Sequence, residues 1–140
     1  MAIPVQITFD AHEPARLAEF WALALDYIVQ PPPPGFPDWE TFAESIGIPP
    51  EQYDRLSAVV DPEGAGPRLL FQKVPEAKEV KNRVHLDVNI SAGSDDQRAA
   101  ARAHAEKLQA AGARLLRELD EPSGWCLMLQ DPEGNEFCLQ

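Results

Sequence analysis

At 140 residues the chain has the length of one ordinary domain. Hydrophobic residues make up 44% and charged residues 25%, the balance of a folded soluble protein, and no apolar run approaches the roughly 20 residues that span a bilayer. With 23 acidic against 12 basic residues the net charge is −11, which repels phosphate backbones and argues against nucleic-acid binding.

The opening MAIPVQITFD carries no basic stretch leading into an apolar segment, so no secretory signal is read there and a cytoplasmic location is expected. Ile3 to Asp10 alternates, with Val5, Ile7 and Phe9 on one face and Gln6, Thr8 and Asp10 on the other, and predicts a strand. Pro14 then stands where a helix starts without losing a hydrogen bond. From there ARLAEFWALALDY sets Leu17, Phe20, Trp21, Ala24 and Leu25 at helical spacing.

Between Gln30 and Tyr53 the chain carries seven prolines, four of them consecutive, which enforce an extended path. Within it DWETFAESIG predicts a short helix capped by Asp38, with Trp39 and Phe42 as apolar contacts. Two aromatics so close together argue for an ordered insertion at 31–53. It reads equally as a lid over a cavity, a cover for a sheet edge or a dimer contact.

Strand-like sequence follows at Ala58–Asp61 and Arg68–Lys73 around the tetrapeptide DPEG. The same tetrapeptide returns seventy residues later, at Asp131–Gly134, between Trp125–Asp131 and Glu136–Leu139. In each copy Pro supplies the fixed φ of a turn and Gly tolerates a positive φ, so both read as hairpin connections. The repeat extends further. RVHLDVNI, Arg83 to Ile90, alternates Val84, Leu86, Val88 and Ile90 against His85, Asp87 and Asn89. Ser94 with Gln97 resembles a capping box, the Ala-rich run to Ala111 predicts a helix, and Gly112 is placed to end it. Leu115–Glu118 supplies a further strand. The expected fold is α+β: two tandem βαβββ modules, 1–75 and 82–140, in one domain spanning 1–140, with helices on the outside of a mixed sheet.

Cys126 and Cys138 fit no CxxC or zinc-ribbon spacing, and two cysteines are no disulfide framework. They share parity on adjacent strands, so they are candidate neighbours. His12, before a helix, and His104, in the Ala-rich helix, read as surface groups. Lys73, Lys78, Lys81 and Arg83 form a basic run that reads as a solvated connection. No Ser-His-Asp order, phosphate-binding glycine loop or Rossmann fingerprint is present.

The paired modules, together with ARLAEFWALALDY, VPEAKEVKNRVHLDV and LQDPEGNEFCLQ, resemble the vicinal oxygen chelate superfamily of glyoxalases, bleomycin-resistance proteins and extradiol dioxygenases, and within it most closely the small glyoxalase-like domains of actinobacteria. The resemblance covers nearly the whole chain. It implies that the strands curl around a cleft. Catalytic members hold a divalent metal ion there, with one side chain from the first and one from the last strand of each module. Carried onto this sequence, those positions fall on Gln6, Gln72, His85 and Cys138, with a one-residue ambiguity at Gln72. The set lacks the family's carboxylates. Asp87, two residues from His85, is the nearby source of charge, and Cys with His suits a softer ion such as zinc. The alternative is that His85 is a hydrogen-bonded cavity residue and Cys138 a small buried hydrophobe.

Two functions follow from the resemblance. One is a glyoxalase-type lyase or isomerase with His85 and Asp87 as catalytic residues and Gln6, Thr8, Gln72 and Cys138 around them. The other is a non-catalytic antibiotic-binding protein in which Trp39 and Trp125 form aromatic walls and the acidic surface suits a flat or cationic ligand. Either way the partner is a small molecule, and a homodimer is expected.

Overall fold

A computed structural model describes residues 1–90 and 92–140. The chain divides into two compact units, Met1–Pro75 and Glu76–Gln140. Unit 1 runs β1 (Ile7–Ala11), α1 (Pro14–Leu25), β2 (Ile28–Val29), α2 (Trp39–Ser45), a 3-10 turn (Pro50–Gln52), β3 (Leu56–Val60) and β4 (Leu69–Lys73). Unit 2 runs β5 (Asp87–Val88), α3 (Gln97–Ala110), β6 (Arg114–Glu121), β7 (Gly124–Gln130) and β8 (Glu136–Leu139). Their sheets have the same order, β1-β4-β3-β2 and β5-β8-β7-β6, and in each the first strand lies parallel to the last while the other pairs are antiparallel. The α+β, twice-βαβββ organisation expected from the sequence is therefore the observed one.

The helices form where propensity and burial agree. Pro14 occupies the first turn of α1, and Leu17, Ala18, Phe20, Trp21 and Ala24 form its buried face. Trp21 lies against Phe9 at 5.2 Å between ring centroids, and Phe9 against Phe71 at 5.3 Å, which ties α1 to β1 and β4. In the insertion, the Asp38 side chain accepts from the Thr41 N–H at 2.7 Å and caps α2, as read from the sequence. In α3 the cap is Asp96, whose carboxylate accepts from the Ala99 N–H at 3.0 Å. That replaces the expected Ser94–Gln97 box. Ser94 Oγ bonds the Asp96 carbonyl instead, and the helix begins at Gln97. Gly112, at φ 109°, follows α3 as expected.

Both DPEG segments are turns between the last two strands of their unit. Gly64 and Gly134, at φ 72° and 88°, donate their N–H groups to the Asp61 and Asp131 carbonyls at 3.0 and 2.9 Å. The same aspartates accept from Glu63 and Glu133 through their carboxylates, so each turn is fixed twice by one residue.

Two expectations need correction, and one element is new. The first strands are shorter than their alternation suggests, because pairing stops earlier. Ile3, Val5 and Val84 are 87%, 72% and 80% exposed and lie outside β1 and β5. His104 is buried, between Ala101, Ala105 and Leu108 on the packed face of α3, because an alanine stripe leaves room for an imidazole edge. β2, two exposed residues before the proline run, was too short to read as a strand.

Candidate functional site

On β5 and β8 the register sets Asp87 opposite Cys138, and Val88 opposite Leu139. Alternation then decides the faces. Leu139 and Phe137 are buried, while Cys138 and Glu136 take the opposite side of β8. His85 lies two residues before Asp87 and turns the same way, bringing His85 Nε2 to 3.3 Å from Asp87 Oδ1. One donor atom each from His85, Asp87 and Cys138 lies within 4.8 Å of the others.

The face has a buried and an open edge. Cys138 is 4% exposed, whereas the His85 and Asp87 side chains are exposed. Burial first, then the neighbouring Cys126 thiol and the Asp87 carboxylate, push the Cys138 thiol up to about 12. Cys138 therefore stays a neutral thiol rather than a nucleophile at neutral pH. Cys126 reaches this place from β7, where Met128 is the residue opposite Cys138 and Cys126 follows on the same side. Both cysteines are free thiols.

Below the pair, Glu136 anchors the segment that leads to His85. Its carboxylate accepts from the Asn82 N–H at 3.0 Å and from Lys78 Nζ at 3.2 Å. Burial alone would raise this carboxyl, but the Asn82 N–H, its own backbone N–H and the Lys78 ammonium outweigh it and hold the group at about 2. Asn82 also donates to Asn135 at 3.1 Å. None of these three was singled out in the sequence as a site residue, although Lys78 lies in the basic run.

Unit 1 repeats the register with different chemistry. Thr8 pairs with Leu70 as Asp87 pairs with Cys138, so Leu70 is the unit 1 counterpart of Cys138. Gln72 is displaced from that position and pairs with Asp10. Gln6, the counterpart of His85, donates to Thr8 Oγ1 at 3.4 Å, and its carbonyl accepts from Arg68 Nη1 at 2.6 Å. Gln6 and Gln72 are therefore not brought together within the unit. Trp39 is 41% exposed, donates from Nε1 to the Gln30 carbonyl at 2.8 Å and stacks edge-on with Phe42.

Trp125 does not join the cysteines. It alternates with Cys126 along β7 and lies on the side that meets α3, under the guanidinium groups of Arg98 and Arg102 at 5.3 and 5.4 Å from the ring centroid. Those arginines are held by Asp120 and Glu118, and Trp125 Nε1 donates to Glu118. In that position it packs helix against sheet.

Comparison with known proteins accords with this architecture. No curated protein matches the chain. Among solved structures, the fosfomycin resistance protein FosX from Mesorhizobium loti is 14% identical with a TM-score of 0.64, the match covering 100% of this chain and 91% of that one. A FosX mutant from Listeria monocytogenes, complexed with Mn(II) and 1S,2S-dihydroxypropylphosphonic acid, is 11% identical with a TM-score of 0.66 over 100% and 90% of the two chains. A glyoxalase/bleomycin resistance protein/dioxygenase family enzyme from Burkholderia phytofirmans is 15% identical with a TM-score of 0.62 over 96% and 94%. At these identities the likeness is one of fold. The family model described as a glyoxalase-like domain matches residues 6–140, both βαβββ units included, and the chain belongs to that family.

Proposed function

We propose that this glyoxalase-like protein acts on a small organic molecule as a lyase or isomerase, with His85 moving the proton. The observation that carries the reading is the His85–Asp87 pair, at 3.3 Å between Nε2 and Oδ1. A carboxylate facing Nε2 keeps the proton on that nitrogen, leaves Nδ1 as the base and stabilises the imidazolium that forms. A substrate carrying an acidic C–H or O–H beside a carbonyl is the chemistry such a base serves. Cys138, held as a thiol, closes the buried side of the pair. In unit 1, Gln6, Thr8, Gln72 and Trp39 are proposed as ligand contacts.

A divalent cation is the cofactor that the fold family implies, and the residues decide which kind fits. His85, Asp87 and Cys138 would hold it. A hard ion of the Mn(II) type is poorly matched, since these three side chains supply one carboxylate and a buried thiol. Within unit 1 the corresponding positions offer no comparable donor set, because the Gln6 carbonyl is already engaged by Arg68 and Leu70 has no donor. The proton chemistry is therefore assigned to His85 itself.

A cytoplasmic setting and a homodimer belong to the same proposal. The two free thiols support the first and the exposed edge strands β2 and β6 the second. Among the described residues no helix is long and apolar enough to cross a membrane.

The test is a screen of the purified chain against hemithioacetals, epoxides and flat cationic antibiotics, scored for both thermal shift and turnover. Turnover that falls at least 100-fold in His85→Ala, with an unchanged melting temperature, is the expected result. A tight ligand returned chemically unchanged would instead make the chain a binding protein of the antibiotic-sequestering kind.

A further inference from the structure

We infer that the open face of the unit 1 sheet seats the carboxylate of a small organic acid on the Arg68 guanidinium. The inference rests on reading the protein as one that handles a small organic molecule, and it deepens that reading by naming the charge the molecule carries.

Arg68 is the half-buried residue just before β4, and its carbonyl accepts from the Ile7 N–H at 3.0 Å. Leu69 and Phe71 are buried on the side that meets α1, so alternation turns Arg68 and Leu70 to the opposite face. There Arg68 Nε donates to Gln30 Oε1 at 2.8 Å and Nη1 to Gln6 Oε1 at 2.6 Å. Two of its five N–H groups are thus fixed, and the other three, both of those on Nη2 among them, have no partner among the described residues.

What distinguishes Arg68 is the kind of partner it has. The chain holds 23 acidic residues against 12 basic, and Arg16, Arg98 and Arg102 each meet a carboxylate. Arg68 meets two amide carbonyls, which fix the guanidinium plane and leave its charge whole. Asp61, in the adjoining turn, does not compensate it, because its carboxylate accepts from the Glu63, Ala65 and Gly66 N–H groups instead. A half-buried cation without a counter-ion costs solvation free energy, and an incoming carboxylate recovers it through paired bonds to the guanidinium fork. The overall charge of −11 does not prevent this, since repulsion from exposed carboxylates is screened over about 8 Å at physiological salt.

The seat is braced from both sides. Gln6 Nε2 donates to Thr8 Oγ1 at 3.4 Å, and the Gln30 carbonyl accepts from Trp39 Nε1 at 2.8 Å. One hydrogen-bonded line therefore runs from Thr8 through Gln6, Arg68 and Gln30 to Trp39, which ties α2 of the insertion to the residue that holds the guanidinium. Arg68 is the binding residue, and Gln6 and Gln30 position it.

The test is titration of the full chain with pyruvate, read from the Arg68 Nε–H signal in proton–nitrogen NMR spectra, with pyruvamide as the neutral isostere. Saturable binding of pyruvate, at least about tenfold tighter than pyruvamide and weakened by added salt, is expected. Gln30→Glu keeps the bond to Nε but supplies a counter-charge, so it should weaken pyruvate about tenfold or more while the melting temperature holds or rises. Arg68→Lys, which keeps the charge and loses the fork, should fall between the two. No saturation by pyruvate, equal affinity for the two probes, or undiminished pyruvate binding in Gln30→Glu would each overturn the seat. Binding is read without turnover and repeated in His85→Ala, where it should persist, so the anion seat and the proton-transfer reading fail independently.

Discussion

Asp87 and Cys138 face each other across the parallel β5/β8 ladder, while Thr8 and Leu70 hold the same register in unit 1. One fold position thus carries a carboxylate beside a thiol in one unit and a hydroxyl beside an isobutyl group in the other. Chemistry should therefore concentrate in unit 2. His85→Ala is expected to reduce turnover by about 100-fold to 10,000-fold, and Asp87→Asn by a smaller factor, because the base remains but loses its orientation. Both side chains are exposed, so each substitution should change stability by no more than about 0.5 kcal/mol. Leu70→Ala should act on stability alone. Steady-state rates beside urea melts separate these outcomes.

Glu136 makes a prediction about acid. Its carboxyl sits at about 2 in the folded chain against an ordinary 4.5, so the unfolded chain binds the proton more readily. The stabilisation it provides is present above pH 4.5 and is lost as pH falls from there toward 2. Glu136→Gln should flatten that part of the stability profile and cost about 1.5–3 kcal/mol at neutral pH, through lost charge-assisted bonds to Asn82 and Lys78. Urea unfolding at a series of pH values measures both. An unchanged acid limb would show that the carboxylate does not hold the approach to β5.

Cys138 should be slow to react. With its thiol pushed up to about 12, modification of the folded, metal-free chain is expected to accelerate about tenfold per pH unit between pH 7 and 10. Mass spectrometry after iodoacetamide pulses distinguishes it from Cys126, and urea should abolish its protection.

Trp125 should matter to stability and not to ligands. Trp125→Ala removes two cation–π contacts and the Glu118 bond, a loss of about 1–3 kcal/mol. Trp125→Phe should recover part of it. Ligand affinity measured by thermal shift should be the same in all three chains, since the ring faces α3.

Most of the fold was legible because periodicity and punctuation agreed. The spacing of Leu17, Phe20, Trp21 and Ala24 matched the buried face of α1, and the two DPEG segments marked equivalent hairpins. Parity also placed Cys126 and Cys138 on one side of their strands. Register was harder to read. After the first DPEG, Asp61 also accepts from the Ala65 and Gly66 N–H groups, which lengthens that turn and brings Leu70 to the position where counting suggested Gln72. Trp125 shows what alternation adds, since it turns the ring to the side opposite Cys126, toward α3. Glu136 left no local signal at all, because its partners Lys78 and Asn82 lie more than fifty residues earlier in the chain.

In both sheets the strand made last stands in the interior. β4 lies between β1 and β3, and β8 between β5 and β7. Until it forms, the opening strand of each unit has no neighbour, and only the pairs β2/β3 and β6/β7 can assemble. The opening strand of each unit therefore pairs across a loop of some sixty or fifty residues, the kind of long-range closure that slows folding. Loss of β8 would remove the sole partner of β5 and one of the two partners of β7. The acidic turn just before it, Asp131 to Gly134, therefore delivers the chain into the strand that joins β5 to β7.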